Sequence, residues 1–149
     1  MFRKILVPTD GSALSEHAAA AAVALARGSG AEIVALSVAQ QRDPSHAQFD
    51  DGTSTVQRER ALNAAAQRAG RVARLAQEGG VPHSLVTAMA SSQHDEIIRV
   101  ALELHCDLIF LAAHGQCGVT RLIAGRIPQL VLAYSPVPVI LYRGGAEAA

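Results

Sequence analysis

Short runs of apolar residues alternate along the chain with longer segments whose apolar residues recur every three or four positions. The short runs predict buried β-strands, and the longer segments predict amphipathic helices. The strands are expected at residues 4–9, 32–38, 83–89, 107–113 and 137–142. Strands and helices in alternation are typical of an α/β protein. We therefore expect a doubly wound, five-stranded parallel sheet with helices on both faces.

Capping residues predict where two of the helices begin and end. The first, alanine-rich helix follows Ser12 as its N-cap and stops at Gly28 or Gly30. The third helix follows either Ser91 or Ser92, both of which offer a side-chain oxygen to the first turn. The choice between the two glycines and between the two serines stays open at this point.

The second helix is predicted from about Ser54 to Glu78. Its apolar residues form one stripe that should face the sheet, while its arginines and glutamines should face water. The stripe consists of Val56, Leu62, Ala65, Ala69, Val72 and Ala76.

The start of the fourth helix is fixed by Pro128. Proline is tolerated in the first turn of a helix and breaks its interior, so a helix running through Tyr134 should begin between Gly125 and Ile127. Gly125 and Arg126 are then expected at a helix N-terminus, where backbone N–H groups attract an anion.

The length and composition predict one domain over residues 1–149, because the chain has 149 residues and half of them are hydrophobic. The polar segment 40–53, which contains Pro44 and Gly52, is predicted to be a flexible loop. Residues 144–149 are predicted to form a flexible tail.

Charge and cysteine content exclude several classes of protein. Thirteen basic residues balance thirteen acidic ones, so a nucleic-acid partner is not expected. No apolar stretch reaches the length of a membrane span or of a signal-peptide core, and no membrane association is expected. Cys106 and Cys117 form no disulfide framework, as in a reducing compartment. A cytoplasmic protein is therefore expected.

The last strand is expected at an edge of the sheet, because Pro136 and Pro138 near its start cannot donate hydrogen bonds to a neighbouring strand. An apolar edge strand has unpaired backbone groups that tend to be covered or paired. A homodimer that pairs the two last strands would satisfy them. The residues expected at this dimer edge are Val137, Val139, Ile140 and Leu141.

A ligand site is expected beyond the carboxyl ends of the strands, at the switch in strand order. This rule nominates the loops around "PTDGS", "VAQ" and "AAHGQCG". Glycines at 115, 118 and 125 would let a ligand approach the backbone closely. The P-loop and dinucleotide-binding glycine motifs are both missing, which excludes an ordinary kinase, GTPase or nicotinamide dehydrogenase.

Two segments together resemble the universal stress protein family, and the resemblance covers essentially the whole chain. They are "KILVPTDGSALSEHA" near the start and "DLIFLAAHGQCGVTRLIAGRIPQLVLAYSPVPVILYR" near the end. The resemblance implies a Rossmann-like sheet in the order 3-2-1-4-5, a homodimer through the last strand and a cytoplasmic stress-response module. Family members that bind ATP carry G-x-x-G, nine residues, then Gly followed by Ser or Thr. The corresponding residues are Ala112, Gly115, Gly125 and Arg126, so two of the four match.

The resemblance implies ATP or AMP as the ligand, with Mg²⁺ if it is ATP, and weak binding because the motif is degraded. The residues implied on the adenine side are Pro8, Thr9, Asp10 and Val38. Those on the phosphate side are Ala112, His114, Gly115, Gly118, Gly125, Arg126 and Ile127. Arg126 either pairs with a phosphate or fills its space. The alternative is a nucleotide-free dimeric interaction module whose ATP site is lost through Ala112 and Arg126.

Other chemistry is less well supported. His114 and Cys117 lie near His105 and Cys106 without the paired spacing of a zinc site, so no metal site is expected. No third group orients a Cys117 nucleophile, and we expect no catalytic residue and no enzyme, although slow ATP hydrolysis stays open. Asp10 either caps the turn into the first helix or contacts the ligand. The expected role is regulatory, with a protein partner that the sequence does not identify.

Overall fold

The computed structural model describes residues 2–41, 53–114 and 126–144. The strands are β1 (Lys4–Pro8), β2 (Glu32–Gln40), β3 (His83–Ala90), β4 (Leu108–His114) and β5 (Val139–Gly144). The helices are α1 (Ala13–Ser29), α2 (Thr53–Glu78), α3 (Gln93–Glu103) and α4 (Arg126–Tyr134). Most of the predicted 40–53 loop and 144–149 tail lies outside the described residues, and Gln40, Thr53 and Gly144 belong to strands or a helix.

The five strands are parallel and lie in the order β3-β2-β1-β4-β5, which confirms the predicted sheet. In the centre, Ile5 of β1 is opposite Ile33 of β2 on one side and Leu108 of β4 on the other. The β5 strand is at an edge, as predicted, although both prolines lie just before its first residue. Pro138 nevertheless contributes to the sheet, because its carbonyl accepts a hydrogen bond from Ile109 N at 2.9 Å.

The pleat of the strands divides the core into two layers, because successive side chains point to opposite faces. Ile5, Val7 and Ile33 face α1 and α2, where alanines dominate the packing. Leu6 and Val34 face the opposite layer, together with buried residues of α3 and α4. Helices therefore cover both faces of the sheet, as expected.

Helix α1 has the caps that its sequence predicts. Ser12 is the N-cap, and its Oγ accepts a hydrogen bond from Ser15 N at 3.1 Å. Gly30, rather than Gly28, ends the helix in the left-handed conformation with φ of 74°. At the start of α3 the cap is Ser92 rather than Ser91. Local capping chemistry thus places these termini, and the structure decides between the neighbouring candidates.

Helix α2 is longer than the strands on which it packs. Its 26 residues span about 39 Å, whereas the eight residues of β3 span about 27 Å. Since a crossover helix runs antiparallel to its strands, the first turns of α2 extend past their carboxyl ends. Ala65, Ala69 and Val72 are fully buried, but Val56 is 46% exposed, so the prediction that Val56 faces the sheet is wrong. Val56 lies in the part of α2 that extends beyond the strands.

Candidate nucleotide-binding cleft

A cleft of about 480 Å³ opens at the carboxyl ends of β1, β2 and β4. Its volume is within the range of small-molecule sites. Six of the predicted site residues line it: Pro8, Thr9, Asp10, Val38, Ala112 and Ile127. The cleft therefore forms at the switch in strand order, between β1 and β4.

Of the remaining predicted site residues, the structure describes the side chain of Arg126 alone, and Arg126 is not part of the cleft lining. Arg126 is the first residue of α4, as predicted, and its side chain is exposed. His114 is the last residue of β4. Its side chain lies outside the described residues, as do Gly115, Gly118 and Gly125. Their assignment to the phosphate side therefore stays a prediction.

The turn from β1 into α1 is organised around Gly11, which has φ of 82°. Gly11 N donates to Thr9 Oγ1 at 3.1 Å, and Ser12 N donates to Asp10 Oδ1 at 2.9 Å. Glycine adopts such a positive φ without the cost that a side chain would add. Asp10 therefore caps the turn, while its side chain also lines the cleft.

The Asp10 carboxylate is charged at neutral pH. Partial burial raises the pKa of Asp10, but hydrogen bonds from Ser12 and Ser15 outweigh that effect and hold the pKa below its ordinary value. A charged carboxylate accepts hydrogen bonds and donates none. The cleft thus presents an acceptor at the end of β1.

Three buried hydroxyl groups stabilise the wall behind Asp10. Ser15 Oγ donates to Ser12 O at 2.8 Å and lies 3.0 Å from Thr9 Oγ1, within hydrogen-bond distance. Ser37 Oγ donates to the Thr9 carbonyl at 3.1 Å and so connects β2 to the β1 turn. These bonds satisfy polar groups that would otherwise be costly to bury.

Arg68 of α2 is a cleft residue that the sequence analysis missed. Its side chain is half-buried, and its Nε donates to Ser37 Oγ at 2.9 Å. The expectation that the arginines of α2 face water is therefore wrong for Arg68. Ala61, Ala64 and Arg68 line the cleft together, at helical steps of three and four residues. That spacing was the available signal, but it identifies a cleft wall only once α2 is known to extend past the strands.

Two hydrogen-bonded glutamines lie where β2 approaches α3. Gln40 Nε2 donates to the Ser91 carbonyl at 3.1 Å, and Gln93 Nε2 donates to Gln40 Oε1 at 3.4 Å. Both glutamines line the cleft. Gln40 belongs to the nominated "VAQ" segment, whereas no motif in the sequence marks Gln93, which begins a helix whose exact limits the sequence does not give.

The remaining lining is largely apolar and includes Leu36, Ile97 and Leu111. Pro128, in the first turn of α4, also lines the cleft and is buried. Asp10 and Arg68 supply opposite charges to this apolar surface. Mostly apolar lining with a few convergent polar groups is typical of sites for small organic ligands.

Within the described ranges, no three His, Cys, Asp or Glu side chains form a group that could hold a metal ion. Cys106 is buried and unpaired, and burial raises the pKa of its thiol to about 11. Cys117, which the sequence analysis considered as a metal ligand and as a nucleophile, lies outside the described residues. None of the helices in the described parts combines the length and the hydropathy needed to cross a bilayer.

The sheet order and the cleft at its topological switch define a Rossmann-like α/β protein with a cleft where such proteins bind ligands. The model of the universal stress protein family matches residues 1–143, and the chain belongs to that family.

Individual relatives agree with this assignment. The chain is 31% identical over 144 residues to a universal stress protein of Thermus aquaticus, covering 96% of this chain and all of the relative. It is 27% identical over 144 residues to one from Methanocaldococcus jannaschii, covering 96% of this chain and 83% of the relative. A crystal structure of a universal stress protein in complex with cAMP superposes with a TM-score of 0.72 at 17% identity, covering 97% and 99% of the two chains.

Proposed function

We propose that this universal stress protein is a non-catalytic cytoplasmic regulatory module of one domain that binds an adenine nucleotide, ATP or AMP, in the cleft. The observation that carries the proposal is the convergence of Pro8, Thr9, Asp10 and Val38 on one cleft with Ala112. The first four are the residues that family resemblance assigns to the adenine side. The structural neighbour that contains cAMP supports an adenine nucleotide as the ligand.

The lining fits a purine base. Leu36 and Val38 provide apolar surface for the faces of the ring, and Asp10 can accept a hydrogen bond from the exocyclic amino group of adenine. The phosphates would then extend toward the N-terminus of α4, where the helix dipole favours negative charge. With ATP, Mg²⁺ would enter with the ligand and neutralise part of the phosphate charge.

The proposed regulation uses ligand binding rather than chemistry. A nucleotide that contacts the ends of β1, β2 and β4 and the start of α4 would hold these segments in one arrangement. A protein partner that recognises that arrangement would bind the loaded form more tightly, and the two affinities would change by the same factor. The partner is unidentified.

We also propose a homodimer through β5. Val139, Ile140 and Leu141 of this edge strand are partly buried within the chain, and the strand pairs on one side with β4. Its other side offers unpaired backbone groups to a second copy.

A nucleotide-free dimeric module is the second candidate, and two observations favour it. Ala112 lines the cleft where the family motif has glycine. Arg126, which replaces the hydroxyl residue of that motif, has an exposed side chain. This candidate keeps the fold and the β5 dimer and loses the ligand.

The decisive experiment combines mass analysis of small molecules released from the purified protein with calorimetric titration of ATP and AMP. Wild type, Arg126→Ser and Asp10→Ala should be compared. We expect measurable binding by wild type and a loss of about fivefold or more in Asp10→Ala, which removes a charged acceptor. A gain in ATP affinity in Arg126→Ser would show that the arginine obstructs the phosphates, and a loss would show that it pairs with them. Absence of binding in folded wild type and Arg126→Ser would favour the nucleotide-free module.

A further inference from the structure

Arg68 is anchored at two points on the wall that α2 contributes to the cleft. Its Nε donates to Ser37 Oγ at 2.9 Å. Its aliphatic stem lies over Gly11, where an added methyl carbon would stand 2.7 Å from Arg68 Cδ. Because the stem and Nε are both held, the plane of the guanidinium group is fixed. The N–H groups on its two terminal nitrogens therefore form an oriented fork of donors.

A charged acceptor lies in the same cleft as this fork. Asp10 precedes Gly11 in the chain, and it lines the cleft together with Arg68. Among residues 2–41, 53–114 and 126–144, the ion pairs do not include one between Asp10 and Arg68. Arg71, one turn further along α2, does pair with a carboxylate, Glu16, at 2.8 Å. Arg68 and Asp10 thus line the cleft as separate groups of opposite charge.

Purine bases differ in how well they match such a pair. Guanine carries two adjacent acceptors, O6 and N7, which accept both terminal nitrogens of an arginine fork, and its N1–H and amino group can donate to a carboxylate. Adenine offers N7 beside an amino donor, so an arginine fork finds one acceptor there instead of two. A guanidinium group can also lie against the face of either base.

We infer that Arg68 is a base-binding residue and that the cleft takes guanine nucleotides as well as adenine nucleotides. The inference rests on the proposed function, because it requires a purine base in the cleft. It differs from that function in naming the α2 side chain that meets the base and in widening the ligand class to purines with an oxygen at position 6.

The test is calorimetric titration of AMP, GMP and IMP into the full-length wild-type protein, Arg68→Met, Arg68→Lys and Arg74→Met. Methionine keeps an unbranched stem over Gly11 and removes every donor. Arg74 is an exposed arginine of the same helix and does not line the cleft, so Arg74→Met is the matched control. Circular dichroism of each variant monitors the fold. If Arg68→Met does not fold, the nucleotide affinities of Arg68→Lys are compared with those of wild type instead.

In wild type we expect GMP to bind within about tenfold of AMP. Arg68→Met should weaken GMP and IMP about tenfold or more, because a bidentate contact to O6 and N7 is lost, and should weaken AMP by a smaller factor. The GMP affinity of Arg68→Lys should lie between those of wild type and Arg68→Met. Arg74→Met should bind all three nucleotides as wild type does.

Three results would overturn the inference. Binding of AMP without GMP would remove the guanine ligand and leave the proposed function standing. Equal losses of affinity for AMP and GMP in Arg68→Met, or no loss of affinity for either, would show that Arg68 does not distinguish the bases. Absence of AMP binding here, together with absence of ATP binding in the titration under the proposed function, would remove the proposed function itself.

Discussion

The side chain of Arg68 lies directly over the backbone of Gly11. A methyl carbon built at Gly11 would stand 2.7 Å from Arg68 Cδ and 3.0 Å from Arg68 Cγ. Gly11 also has φ of 82°, a conformation that disfavours any side chain. The turn after β1 and the α2 wall of the cleft therefore depend on the same glycine.

Gly11→Ala should destabilise the protein by about 2 kcal/mol or more, because it combines a positive φ, which costs an alanine about 1–2 kcal/mol, with overpacking against Arg68. Gly80→Ala is the matched control, since Gly80 has φ of 70° and no heavy atom within 4 Å of an added methyl. Urea unfolding of both variants separates the cost of the positive φ, which both variants carry, from the cost of the contact with Arg68, which Gly11→Ala alone carries. In an Arg68→Ala background, the further change Gly11→Ala should lower the free energy of unfolding by less than it does in wild type, because the contact with Arg68 is gone. Equal losses in Gly11→Ala and Gly80→Ala would show that the contact costs nothing.

Asp10 should make the stability of the fold depend on acid pH. Its pKa is lower in the folded protein than in the unfolded chain, where an aspartate has a pKa of about 3.9. The folded state therefore binds the proton less well, and the stabilisation is fully present above that value and is lost as pH falls through the folded pKa. Unfolding of wild type and Asp10→Asn should be compared between pH 7 and pH 2.5.

The wild-type advantage over Asp10→Asn should be constant from pH 7 to about pH 5 and shrink below about pH 4. Asp107→Asn is a useful parallel, because the pKa of Asp107 is also lowered: hydrogen bonds from the Lys4 and Arg3 backbones outweigh the effect of burial. A stability difference between wild type and Asp10→Asn that does not change with pH would contradict the lowered pKa.

Cys106 should resist alkylation in the folded protein. With a pKa of about 11, only about one thiol in a thousand is ionised at pH 8, and the side chain is also buried. In a Cys117→Ser background, iodoacetamide should modify Cys106 far more slowly without denaturant than in 6 M guanidinium chloride, as followed by intact mass. Comparable rates in the two conditions would mean that the thiol is accessible in the native fold.

Arg143→Pro should weaken the proposed β5 dimer. Ile109 N donates to the carbonyl of Pro138 and Ile109 lies opposite Val139, so in β5 the backbone groups of Val139, Leu141 and Arg143 point away from β4. Proline at exposed position 143 removes one outward N–H group without altering the core.

Light scattering at several concentrations should show a larger monomer fraction for Arg143→Pro than for wild type, while Arg143→Ala, which keeps the N–H group, should behave like wild type. Leu85→Lys alters the opposite edge of the sheet, at a side chain that is 43% exposed, and should leave the mass unchanged. A monomeric wild type would exclude the dimer, and a mass change in Leu85→Lys alone would place the contact at β3.

Local chemistry made much of the fold predictable. Ser12 and Gly30 mark the ends of α1 through capping and a left-handed terminus, and the apolar runs give all five strands. Pro136 and Pro138, which precede β5, led us to expect an edge strand because proline donates no hydrogen bond to a neighbouring strand, and β5 is at an edge. The order of the strands came from family resemblance, since periodicity does not specify which strands are neighbours.

The residues expected on the adenine side came from family resemblance. Asp10 follows β1 and Val38 lies near the end of β2, so the parallel strands bring both to one edge of the sheet, where they line the cleft. Arg68 was not predictable in this way. Its position depends on how far α2 extends past β2 and β3, and that distance is set by tertiary packing rather than by a local pattern.

Because the first turns of α2 extend past the strands, the rotation of this helix about its axis decides whether the positive charge of Arg68 lies on the cleft wall. Each residue turns the helix by about 100°, so a single-residue insertion between Ala64 and Arg68 would rotate Arg68 away from Ser37 while Ala61 and Ala64 kept their positions. The three parallel strands would continue to hold Asp10, Val38 and Ala112 in place. Relatives with the same strand motifs can therefore differ in what they bind through a change in α2 that leaves no trace in those motifs.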